Sequence, residues 1–159
     1  MTMQNDGQAI VFTDGACLKN PGPGGYAALI LIDGKEQIIV GRDPATTNNK
    51  MEMMAAIKAL GALPHGLAAT VHSDSQYVVK GIREWLPGWK KRGWRTAAGE
   101  PVKNQPLWEE LDRLNSNRKI MWQWVKGHAG HEQNERVDAL ANAEAKKAAE
   151  NITKRTLPR

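Results

Sequence analysis

The chain reads as an α/β domain, a mixed sheet flanked by helices in the order βββαβαααβα. Three features of the 159-residue sequence lead there. Three β-branched and aliphatic runs stand together near the start, apolar residues then fall at helical spacing, and two further strand-like runs alternate with helical stretches.

The first strand is Gln8 to Asp14, and its run Ile10-Val11-Phe12-Thr13 delivers an acid to the strand's exit. Asp14-Gly15 taken alone is a hairpin signal, but the Gly/Pro-rich stretch Ala16 to Gly25 that follows reads as loop rather than as an immediate partner strand. Tyr26 to Ile32 and Lys35 to Val40 flank the turn pair Asp33-Gly34, so the first three strands form an antiparallel meander. Gly41 to Ala45 is a loop, and Thr46-Thr47-Asn48-Asn49 offers N-cap residues. The helix they start runs from Met51 to Leu63, with Met53, Ala56, Ile57, Leu60 and Leu63 on its apolar side and Glu52 beside them.

Pro64-His65-Gly66 ends that helix, and Ala68 to His72 is a short buried strand leading to Ser73-Asp74-Ser75. Val78, Val79, Ile82, Trp85 and Leu86 then predict a helix that Pro87 breaks or bends, with Trp85 mostly in the core. Lys90 to Lys103 carries five basic residues against one acid. Leu107, Trp108, Leu111 and Leu114 predict a further helix, and Lys119 to Val125 a strand with Ile120, Trp122 and Trp124 on one face. Gly127 to His131 is a loop. Asn134 to Ala149 is the last helix, with Val137, Leu140 and Ala141 inward, and Asn151 to Arg159 is a frayed basic tail. The chain is thus one domain with a core over residues 8–149 and flexible ends at 1–7 and 151–159.

Composition narrows the class. No apolar run approaches a membrane span and no charged-then-apolar leader is present, so a cytoplasmic, monomeric protein is expected. The single cysteine, Cys17, rules out an internal disulfide framework and reads as a small packing residue. A net charge of +5 and a pI of about 9.4 suit a polyanionic partner. Lys90, Lys91, Arg92 and Arg95, interleaved with Trp89 and Trp94, offer phosphate neutralisation beside flat apolar surface.

Asp14 and Asp74 lie at strand ends, while Glu52 and Asp138 lie on helices one residue from the apolar stripe. Singly they read as a turn residue, a surface glutamate, an N-cap and a solvated helical acid. Gathered together, such carboxylates repel one another unless cations neutralise them, and hard oxygen ligands select Mg²⁺ or Mn²⁺ over zinc or copper. Two such ions about 3.5 to 4 Å apart suit phosphodiester displacement. His128, in a Gly-flanked loop, has the unperturbed pKa of a proton carrier.

Five segments then carry a resemblance. Phe12-Thr13-Asp14-Gly15, Asn20-Pro21-Gly22-Pro23-Gly24-Gly25, Thr46 to Glu52, Ser73-Asp74-Ser75-Gln76-Tyr77-Val78, and Val125 to His131 followed by Asn134-Glu135-Arg136-Val137-Asp138 closely resemble type 1 ribonucleases H of the bacterial kind. The match is in order from about Gln8 to Ala149. The resemblance implies a ribonuclease H fold, with a five-stranded mixed sheet of a three-strand antiparallel meander plus two parallel strands, flanked by helices and bearing a basic protrusion. It implies an endonuclease that hydrolyses the RNA strand of RNA–DNA hybrids, using two Mg²⁺ ions for which Mn²⁺ can substitute, and leaving 5′-phosphate and 3′-hydroxyl ends. The metal-binding acids fall on Asp14, Glu52, Asp74 and Asp138, and a mobile histidine on His128. Asn20, Asn48 and Gln76 fall where the family meets the hybrid's minor groove. Thr47 and Asn104 fall where a DNA-strand phosphate is seated, and Gly88 to Trp94 looks like the basic protrusion. The chain departs at Ala16, where the family usually has serine, and at Pro87-Gly88, which interrupts the helix entering the protrusion.

Other classes fit less well. Asn20 to Gly25 lacks the Gly-Lys-Ser/Thr ending of a P-loop. A phosphoaspartate hydrolase needs a second acid where Ala16 stands, and one cysteine with four histidines makes a structural zinc site improbable. Transposase and integrase cores use a related acid set but normally carry appended DNA-binding domains. The remaining alternative, a non-catalytic hybrid-binding module of the same fold, is expected to have lost one of the acids.

Overall fold

The computed structural model describes residues 8–126 and 132–156. Strands β1 (Gln8–Cys17), β2 (Gly22–Ile32) and β3 (Lys35–Thr46) form an antiparallel meander, with Asp33 and Gly34 in the left-handed region at the β2–β3 turn. All three are longer than the sequence predicts. Ala16 pairs with Gly25, Cys17 with Gly24 and Gly22 with Thr46, so the stretch read as loop is mostly strand and only residues 18–21 connect β1 to β2. Gly41 to Ala45, also expected as loop, continues β3. Glycine lowers strand propensity, but β2 pairs with β1 on one side and β3 on the other, and these ladders supply hydrogen bonds that propensity does not foresee.

Helix α1 (Asn48–Ala62) is capped by Thr47, whose hydroxyl accepts from the Lys50 N–H at 3.2 Å. Its buried face includes Met51, Met53, Ala55, Ala56, Ala59 and Leu60, and the alanines let it lie close on β1 and β2. Strand β4 (Ala68–Ser73) runs parallel to β1, and after it Ser75 caps α2 (Gln76–Lys80) by accepting from the Val78 N–H. The helical path does not break at Pro87. It widens into a π-helical turn over Gly81–Trp85, where the Leu86 N–H reaches the Gly81 carbonyl, and resumes as α3 (Leu86–Lys91) with Pro87 in its first turn. A proline there withholds an N–H that the new helix start does not need, and the wide turn absorbs the change in register.

Helix α4 (Gln105–Ser116), strand β5 (Ile120–Trp124), parallel to β4, and helix α5 (Glu132–Thr156) complete the order. The sheet reads β3-β2-β1-β4-β5. Helix α1 packs on one face over a core that includes Val11, Ile30, Met53, Leu60, Val71, Trp108 and Leu111. Helix α5 packs on the opposite face over β1 to β3, where Val137, Ala141 and Ala145 meet Ala27 and Leu29. It runs past Asn151, where the sequence predicts fraying, to Thr156, and Asn151 and Ile152 sit beside Arg42 and Pro44 of β3. Trp85, expected mostly in the core, is instead 37% exposed, as Trp124 is 41% exposed, because each stands at the end of its element, beyond the layer that covers Trp108 and Trp122.

Candidate active site

Asp14 lies within β1 rather than at its exit, because β1 stays paired to β2 as far as Cys17, but it stands just past the last pair of the parallel β1–β4 ladder, Thr13 opposite Ser73, and so lies beside Asp74 at the end of β4. Glu52 reaches them from α1. That approach depends on Gly15, since a methyl group there would collide with the backbone of Met51 and Glu52. A second close approach, of Gly25 to the Ala141 carbonyl and the Ala145 nitrogen, seats α5 on β2. This lets Asp138 come within side-chain hydrogen-bonding reach of Asp14. Carboxylate oxygens of Asp14, Glu52 and Asp74 lie within 4.8 Å of one another. Asp14, Asp74 and Asp138 also line one pocket with Thr13 and Asn134.

The acids are held against their mutual repulsion. Asp14 is 3% exposed, and burial first, then the Asp74 and Asp138 carboxyls, push its pKa up to about 8, although the Gly15 N–H donates to its Oδ1 at 2.8 Å. Burial, reinforced by Asp14 and Asp74, raises Glu52 well above the usual carboxylate range. Glu52 Oε1 and Asp74 Oδ1 are buried without a hydrogen-bond partner among the described residues. Unpartnered buried carboxylate oxygens are costly, and an all-oxygen donor set of this kind fits a hard divalent cation. The geometry supports a divalent-metal site without distinguishing Mg²⁺ from Mn²⁺.

The RNase H family model matches residues 6–146. The chain belongs to the ribonuclease H family, in its type 1, bacterial form. It is 57% identical over 132 residues to the ribonuclease H of Thiobacillus denitrificans, covering 83% of this chain and 89% of that one. It is 54% identical over 142 residues to that of Phenylobacterium zucineum, covering 89% and 93%. Among solved structures it superposes on LC9-RNase H1, described as a type 1 RNase H with the type 2 active-site motif, with a TM-score of 0.78 at 32% identity, covering 89% of this chain and 73% of that one. LC11-RNase H1 in complex with an RNA/DNA hybrid shares the fold, with a TM-score of 0.67 at 23% identity and coverage of 89% and 99%.

The other sequence-predicted residues lie in the β1–β2 connection, at the starts of α1 and α2, along and after α3, and just before α4. Asn20 Oδ1 accepts from the Asn48 N–H at 3.1 Å, so Asn20, Thr47 and Asn48 meet at the start of α1. Gln76 opens α2 two residues after Asp74 and is exposed. Asn104, with a left-handed φ of 61°, lies across a groove from Thr46 and Lys50. Its Nδ2 donates to the Tyr77 hydroxyl, which also accepts from Trp108 Nε1, both at 3.1 Å. Lys90, Lys91 and Arg92 are exposed at the end of α3, with Lys90 paired to Asp112 at 3.1 Å. Trp89 and Trp94 are half-buried. Trp89 packs edge-on against Trp108 and tilted against Trp85, so the exposed ring at this place is Trp85 rather than Trp89. His128 lies outside the described residues.

Two contributors were not legible in the sequence. Tyr77 reads there as one more residue after Asp74, yet it ties Asn104 to the core. Asn134 reads as a helix start, yet its side chain lines the acid pocket. Neither has a composition or spacing signal, because both act through contacts across elements.

Proposed function

We propose that this enzyme cleaves the RNA strand of RNA–DNA hybrids endonucleolytically, leaving 5′-phosphate and 3′-hydroxyl ends, with Asp14, Glu52, Asp74 and Asp138 holding two Mg²⁺ ions for which Mn²⁺ can substitute. The observation that carries the reading is the pooling of Asp14, Glu52 and Asp74, with Asp138 lining a pocket beside Asp14 and Asp74, and the buried oxygens of Glu52 and Asp74 that have no partner among the described residues. A hybrid-binding module without catalysis would have no need of so costly a cluster. Bound there, the ions would supply Lewis-acid polarisation of the phosphate and a more acidic attacking water.

The chain's own groups do the rest. Asn20, Asn48 and Gln76 meet the minor groove, where 2′-hydroxyls mark the RNA strand. Thr47 and Asn104 seat a DNA-strand phosphate, and Lys90, Lys91 and Arg92, with Trp89 and Trp94, hold the backbone farther along. His128 carries a proton near the leaving group. The enzyme works as a cytoplasmic monomer of one domain. Among the described residues no helix is long and apolar enough to cross a membrane.

The test offers RNA–DNA hybrid, duplex DNA, duplex RNA and single-stranded RNA side by side. Cleavage of the hybrid alone, abolished by a chelator and restored by Mg²⁺, is the expected result. Asp14→Asn is expected to bind hybrid and not cut it. Substantial turnover by that variant would remove the metal assignment.

A further inference from the structure

The acid pocket presents four carboxyl groups to an incoming phosphodiester, counting Glu135 with Asp14, Asp74 and Asp138. Of the described side chains lining it, Thr13 and Asn134 are the neutral hydrogen-bond donors. Thr13 Oγ1 is also without a partner among the described residues, but Thr13 is only 2% exposed, within β1 next to Asp14, and so is the less accessible of the two donors to an incoming ligand. Asn134 stands in the first turn of α5, half-buried, and its Nδ2 is buried without a partner among the described residues. A buried N–H left unpaired is costly, so an amide kept in that state is paired when the site is filled.

Resting on the activity proposed above, we infer that Asn134 is a further catalytic residue, whose side-chain amide donates a hydrogen bond to a nonbridging oxygen of the scissile phosphate. The amide is carried by the same helix as Asp138, four residues earlier and therefore on the same helical face. One helix thus supplies a cation ligand and a donor to the same pocket. As charge builds on the phosphoryl oxygens, a fixed donor strengthens its bond, which favours the transition state over bound substrate. Sequence inspection passes over Asn134 because an asparagine near a helix start is an ordinary capping residue.

The experiment compares wild type, Asn134→Ala and Asn134→Asp on a hybrid with one cleavage position, carrying either oxygen or a phosphorothioate of Rp or Sp configuration there. With the oxygen substrate, each variant is expected to lose kcat on the order of a hundredfold. Hybrid affinity without divalent cation, and Tm, should stay within error of wild type. With one diastereomer the loss shrinks to a few-fold, because sulfur is a poor acceptor and has already weakened the bond in the wild type. In Asp14→Asn protein labelled with ¹⁵N, the Asn134 side-chain amide resonance, identified by its absence in the Asn134→Ala background, should move downfield when hybrid is added. Equal losses on oxygen and both sulfur substrates, a loss matched by weaker hybrid binding or a lowered Tm, or unchanged kcat would each overturn the role. Wild type that binds hybrid without cutting it overturns the activity and this role together, whereas cleavage by wild type and Asn134→Ala alike overturns Asn134 alone.

Discussion

At the scale of single residues, the site stores repulsion that its function uses. Asp14 has an ordinary pKa of 3.8 and about 8 in the fold, chiefly through burial and then through Asp74. The folded protein therefore holds a proton there that the unfolded chain has released, and between these values stability falls as pH rises. In a chelator, Asp14→Asn is expected to melt higher than wild type at pH 8, with the difference gone near pH 4, as thermal unfolding followed by circular dichroism will show. Tyr77 is the opposite case, a neutral group whose hydroxyl serves two donors. Tyr77→Phe leaves the fully buried Trp108 without an acceptor for its indole N–H, at a cost of about 1 to 3 kcal/mol in denaturant unfolding, and frees Asn104 from its tether. Weaker hybrid binding should accompany the lost stability.

At the scale of elements, the segment from Gly81 to Lys91 shows how a local rule yields to packing. Proline predicts a break, but a π-helical turn carries the chain through to α3, and the cations at its end stay exposed. Exposed lysines and arginines bind phosphate by releasing counterions, which gives affinity a steep salt dependence. Replacing Lys90, Lys91 and Arg92 with alanine is expected to lower the slope of log affinity against log salt by roughly 0.9 for each side chain that touches a phosphate. Lys90, already paired with Asp112, should contribute least of the three. Single-variant titrations of hybrid binding at several salt concentrations will separate them, and an unchanged slope in the triple variant would detach this protrusion from the substrate.

At the scale of the molecule, binding of cations and folding are one equilibrium, because the acids come from β1, α1, the end of β4 and α5, and meet only in the folded chain. Mg²⁺ at a hundredfold excess over its Kd is expected to stabilise the fold by about 2.7 kcal/mol, read as a rise in Tm that Asp14→Asn abolishes. The order of elements and the meander were legible in advance because they rest on short-range patterns: the aliphatic run Tyr26 to Ile32, helical spacing from Met53 to Leu60, the turn pair Asp33-Gly34. Motif order likewise named the family. What the chain's linear order could not decide was distance. Ala16 to Gly25 became strand, Asn151 onward stayed helical, Trp85 came to the surface and Asn134 turned into the pocket, each because a partner remote in sequence supplied the hydrogen bonds, the packing or the lack of cover. Residue types and their spacing determined which carboxylates were available for chemistry. Only the parallel pairing of β1 with β4, together with glycines that let α1 and α5 press close to the sheet, decided that those carboxylates share one small volume, since repulsion between like charges is overcome by the packing of the whole fold and by nothing local.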